Sequence, residues 1–120
     1  MGYYSEIYIL MDKESTDDFI KKLAKELPEH IGFYSNALEN GFEVFGIDET
    51  KPYRIFHFPW VKWYDDRFPE VKMMMEFLRA LKAPQYYDFV RIGEENGDIE
   101  QEYSDDFYFN VTVDVSLDEP

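Results

Sequence analysis

At 120 residues the chain has the length of one domain, enough to bury a core. Apolar residues make up 45% and aromatics 19%, which excludes a disordered polyanion, and the absence of cysteine excludes disulfides, thiolate metal sites and cysteine nucleophiles. Twenty-six acids against twelve bases give a formal charge of −14, a field that repels nucleic acid and anionic membranes and favours basic protein surfaces or divalent cations.

The opening MGYYSEIYILMDKE has no basic stretch ahead of its apolar run and carries acids at Glu6 and Asp12. No signal peptide is therefore expected, no run approaches the ~18 apolar residues of a membrane span, and a cytoplasmic protein follows. Tyr3 to Met11 predicts a strand, and Ser15 or Thr16 predicts the cap of a helix. Phe19, Ile20, Leu23 and Leu27 form that helix's apolar stripe, and Pro28 stops it. Between His30 and Ile47 the pattern is weaker. Asn40-Gly41 is a turn signal there, which makes Phe42 to Ile47 a strand. Tyr53 to Phe58 is a further strand, with Pro59 at its end or on an edge.

Pro69 suits the first position of a second helix, along which Val71, Met74, Met75, Leu78 and Leu81 recur at helical spacing. Its methionines, 73 to 75, read as flexible core fillers. Tyr86 to Ile92 and Ile99 to Tyr103 form a hairpin closed by Asn96-Gly97. Phe107 to Leu117 alternates apolar and polar residues throughout and predicts one long strand. The order β-α-β-β-α-β-β-β predicts a single α+β domain over 1–120: a largely antiparallel sheet with two helices on one face, ferredoxin-like or split βαβ as the first candidate.

Charge is distributed unevenly. Residues 1–91 hold sixteen acids and all twelve bases, whereas 92–120 hold ten acids and no base. On the returning hairpin strand Asp98, Glu100 and Glu102 alternate, so all three leave one face about 6.6 Å apart at ordinary strand rise. This is either an edge strand charged against aggregation or a negative ladder for a basic groove. Arg91, on the neighbouring strand, can pair across with one of these acids. WVKWYDDRFPEV concentrates Trp60, Trp63 and Tyr64 beside Asp65 and Asp66, either as corner packing or as interface anchors.

Catalytic signatures are missing: there is no glycine-rich phosphate loop, no nucleophile elbow and no metal-binding histidine spacing. His57 lies mid-strand among aromatics, where a half-buried, hydrogen-bonded role is expected. Glu94, Glu95, Asp98 and Glu100 flank a turn but do not follow EF-hand spacing. Neither a catalytic residue, a cofactor nor a dedicated metal site is assigned.

Three segments, MGYYSE at 1–6, VKWYDDRFPEV at 61–71 and FVRIGEENGDIE at 89–100, resemble a family of small tailed-phage accessory proteins. Tyr4 stands where that family usually has a basic residue. No activity comes with the resemblance. It implies a phage gene product working in the cytoplasm of a bacterial host, and small acidic phage proteins often bind and inhibit host proteins, some by imitating nucleic acid. The expectation is a non-enzymatic protein, monomer or homodimer, that binds a basic host-protein surface. Glu94, Glu95, Asp98, Glu100, Glu102, Asp105 and Asp106 would form its acidic face, with Trp60, Trp63 and Tyr64 as anchors. The alternatives are a small metal-dependent enzyme using Asp65, Asp66, His57 or the acids of 94–100, and a self-associating structural protein.

Overall fold

The strand at the start of the chain becomes the centre of the sheet. In the structure, a computed structural model describing residues 2–104, 108–111 and 117–118, β1 (Ser5–Asp12) pairs antiparallel with β2 (Tyr53–Val61) and with β3 (Tyr87–Gly93). β4 (Ile99–Tyr103) adds antiparallel to β3, giving the order β2-β1-β3-β4. Both faces of β1 are covered, which explains why Ile7 to Met11 is apolar without alternation and buried at every position.

α1 (Lys13–Glu26) follows β1 directly, and its cap is Asp12 rather than Ser15 or Thr16. The Asp12 carboxylate accepts the Ser15 N–H at 3.1 Å and, through its other oxygen, the Tyr86 N–H at 3.1 Å. One side chain thus satisfies a helix end and fastens it beside β3. Ser15 and Thr16 lie buried within the first turns.

Phe42 to Ile47 is not a strand. After a 3₁₀ turn at Pro28–His30, α2 runs Ile31–Phe45, straight through Asn40-Gly41, and ends at Gly46 with φ +59°. Gly41 is there for space: a Cβ at this position would overlap the carbonyl oxygen of Ile55 on β2. β2 is an edge strand, as Pro59 requires, and α2 lies hard against its backbone at this point. Tyr34 and Ala37, early in α2, belong to the core on one sheet face, while Phe45, at its end, belongs to the core on the other.

With two helices between β1 and β2, the chain returns antiparallel to the neighbouring strand. β2 and β3, each antiparallel to β1, are joined by α3 (Pro69–Arg79) across it, so this unit is a split βαβ. A ferredoxin-like fold needs two such units, and only this one forms among the described residues. The α+β class and the antiparallel sheet are as expected, with three helices instead of two packed on the first face.

That face gathers Ile7, Ile9, Met11, Phe56, Phe58 and Phe89 against Phe19, Leu23, Met74 and Leu78 of the helices. Each such fully buried side chain contributes roughly 1.5–3 kcal/mol. On the second face Tyr8, Leu10, Ile55 and Val90 meet Phe45, Ile47 and Phe109. The long strand expected over Phe107 to Leu117 is not one strand. β5 (Asn110–Val111) and β6 (Leu117–Asp118) pair antiparallel with each other, Asn110 opposite Asp118 and Val111 opposite Leu117. Phe107 and residues 112–116 lie outside the described residues, and alternation alone does not reveal that the two described ends of such a segment pair with each other.

Candidate functional site

The β3–β4 hairpin closes through Asn96-Gly97, with Gly97 at φ +80° and Gly93 N–H donating to the Asp98 carbonyl at 2.8 Å. Register places Glu102 opposite Phe89 and Glu100 opposite Arg91. The alternate acids therefore share one face, as their spacing predicts, and it is the face on which the helices pack.

Two arginines meet the ladder there. Arg91 donates from Nε to Glu100 at 2.6 Å and from Nη2 to Asp98 at 2.7 Å, while its Nη1 bonds Asp98 and Ser5 Oγ, each at 3.2 Å. Arg79, at the end of α3, grips Glu102 with Nε at 2.8 Å and Nη2 at 3.1 Å. The Tyr87 hydroxyl adds a bond to Glu102 at 3.3 Å, and Tyr3 donates its hydroxyl to Asp98. Hydrogen bonds from Arg91 and then Tyr3 hold the Asp98 carboxyl below its ordinary range, and Arg79 does the same to Glu102. Asp98, in turn, pushes the Arg91 guanidinium up. All three carboxylates are thus bonded inside the molecule, by two guanidiniums. Glu94 and Glu95, at the turn, are exposed and make no ion pair among the described residues. Asp105 and Asp106 fall outside the described residues.

The three clustered aromatics separate into different roles. Trp63 turns into the first core, its ring 5.4 Å from Phe58 and 6.1 Å from Phe89. Tyr64 donates its hydroxyl to the Tyr3 carbonyl at 3.0 Å and accepts the Tyr3 N–H, so it pins the approach to β1. Trp60 alone points outward, 61% exposed. One extra residue in β2 between Phe58 and Val61 shifts the register against β1 and delivers Trp60 to the second face. There its ring stacks on Tyr4, centroids 4.8 Å apart and planes 6° from parallel, and the Lys62 ammonium lies 5.5 Å from the Tyr4 ring centre. Tyr3 and Tyr4 bring the two features to one end of the sheet: Tyr3 accepts the Glu95 N–H at 2.9 Å, and Tyr4 carries Trp60.

Beside Trp60 a groove of about 200 Å³ follows the bulged end of β2. Phe33, Asn36, Ala37 and Asn40 of α2 form its far wall, while Pro59 and Trp60 belong to the near one.

His57, 6% exposed, is held rather than displayed. Its Nε2 lies 2.8 Å from Glu6 Oε2, the Tyr8 hydroxyl donates to the same oxygen at 2.9 Å, and the Tyr8 and His57 rings stack 4.5 Å apart. The His57 bond is the main reason that Glu6 sits below the ordinary carboxylate range. Asp65 and Asp66 are exposed and apart from this trio. Among the described residues, no three histidine or carboxylate groups converge as ligands for a metal ion, and no helix is long and apolar enough to cross a membrane.

Sequence reasoning missed Asp88. This β3 carboxylate is 0% exposed and accepts the N–H groups of Tyr108 at 2.6 Å and Phe109 at 2.8 Å, with Gln101 Nε2 at 3.2 Å. Burial pushes its carboxyl above the ordinary value, against the pull of those bonds. Its signal was present: an acid interrupts the apolar run of YYDFV at a position facing a core. No family model, no curated protein and no solved structure matches the chain.

Proposed function

We propose that this chain is a non-enzymatic binding protein, a phage accessory product that engages and inhibits a host protein through a basic surface of that partner. The observation that carries the reading is Trp60, a large aromatic left 61% exposed yet held in place by its stack on Tyr4. Rigid, outward-facing tryptophans are the side chains that dominate protein interfaces, because they bury a large area with little conformational entropy to lose. The acids Glu94 and Glu95 stand near the same end of the sheet, on a molecule of charge −14. Such a field steers a basic partner in and repels a second copy of the chain and nucleic acid alike.

Imitation of a nucleic-acid backbone is not part of this reading. With Asp98, Glu100 and Glu102 bonded to Arg91 and Arg79, the ladder offers no open row of charges. The resemblance of the three motifs to phage accessory proteins supplies the host context.

The test is paired affinity capture from bacterial lysate with the wild-type chain and with Trp60→Ala/Glu94→Lys/Glu95→Lys, at low and at high salt. One basic protein should be retained by the wild type at low salt and released at high salt. The variant should lose it while keeping its circular dichroism; truncation of an anchor of this type costs about 2 kcal/mol or more. Equal capture by both chains, or no saturable partner, would defeat the proposal.

A further inference from the structure

Trp60 has two faces, and only one is used. The indole covers Tyr4 and the Lys62 ammonium lies against that same tyrosine ring, so cation and aromatic already meet here, and the place left in the stack is the open face of Trp60. We infer that this place is filled by an arginine side chain of the partner, its guanidinium plane lying on the indole and the segment that carries it seated in the groove between α2 and the bulged end of β2.

This rests on the basic-partner reading and narrows it to one side chain and one seat. Three observations select that occupant. First, the chemistry of the platform is an extended flat π-face, and a guanidinium is planar, weakly hydrated and stacks, whereas a lysine ammonium is compact and strongly hydrated. A nucleobase would also stack, but its backbone would have to approach a molecule of charge −14. Second, α2, the far wall of the groove, carries Glu39 and Glu43 in its second half and neither lysine nor arginine, so an incoming cation meets no positive side chain of that helix. Third, two polar side chains on the far wall of the groove are neutral amides suited to a peptide backbone. Asn36 and Asn40 stand one helical turn apart and make no side-chain hydrogen bond among the described residues, so each amide can donate to a carbonyl and accept an N–H. The segment does not extend the sheet. Pro59 has no N–H to offer and the bulge breaks the ladder, which leaves the asparagines to hold the backbone.

The probes are two short peptides of equal length and charge, one of arginines and one of lysines, titrated at low salt against the full chain labelled with ¹⁵N. Trp60 and Trp63 give the two indole N–H signals, so the core residue serves as an internal control for folding. The arginine peptide should bind roughly fivefold or more tightly than the lysine peptide, moving the Trp60 indole and the Asn36 and Asn40 side-chain amide signals while the Trp63 signal stays in place. Trp60→Ala should bring the two affinities together. Equal affinities in the wild-type chain with an unmoved Trp60 signal would overturn the arginine seat and leave the broader electrostatic reading standing. Failure of both peptides to bind at low salt would defeat both. The wild-type comparison decides the matter even if the alanine variant fails to fold.

Discussion

Alanine is a better helix former than glycine by about 1 kcal/mol, yet at position 41 the substitution should destabilise the protein. The Cβ of Gly41→Ala would meet backbone, the Ile55 carbonyl, which cannot swing aside as a side-chain tip can. Either α2 or β2 must move, and overpacking of this kind costs about 1–3 kcal/mol after the propensity gain is spent. Gly32 is the matching control. It lies in the same helix, is exposed, and a Cβ there meets nothing within 4 Å. Gly32→Ala should raise stability by up to about 1 kcal/mol. Urea titration of the two variants should move the midpoint in opposite directions. A Gly41→Ala protein as stable as the wild type would show that the helix does not lie against the strand.

The β3–β4 hairpin is held by turn chemistry at one end and by Arg91 along its length. Arg91→Met keeps much of the side chain's bulk while leaving Asp98 and Glu100 without their guanidinium, so three acids then face one another with only Arg79 nearby. We expect a loss of about 1–2 kcal/mol, since the bonds are charge-assisted but the two acids remain partly exposed. Amide exchange should quicken selectively over Ile99 to Tyr103, and uniform quickening, or none, would count against a local clamp. This hairpin was also the most legible element of the sequence. Asn96-Gly97 and the strand alternation are local signals, and the Arg91–Glu100 pairing follows from register alone. Elements shaped by distant contacts were not legible. Asn40-Gly41 looks like a turn because the reason for its glycine lies in Ile55, on a different element. Arg79 reaches Glu102 only after α3 has folded onto the sheet, so the ladder appeared bare when read as sequence. Trp60 could not be told from Trp63 because a one-residue bulge, invisible in the pattern, turns the first outward while the second stays in the core.

Across the whole molecule, charge and packing oppose each other. The −14 balance works against the compact state through self-repulsion, whereas the Arg79 and Arg91 bonds and the two cores favour it. Added salt screens both electrostatic effects, but the repulsion sums over the surface and the bonds are few. The melting temperature should therefore rise with ionic strength by several degrees, on the order of 1 kcal/mol for a domain of this size. A fall would mean that the arginine clamps outweigh the net charge.

The central position of β1 also sets an order in time. It leaves the ribosome before both of its neighbours: Ile9 lies opposite Phe56 on one side and Phe89 on the other, so its second neighbour is made only after β2 and α3. Until then the uncharged run IYILM has an open side, in a nascent chain that cannot finish its sheet. The segment that ends up most deeply enclosed is the one that waits longest, and for that interval it offers chaperones the extended apolar strand that they retain.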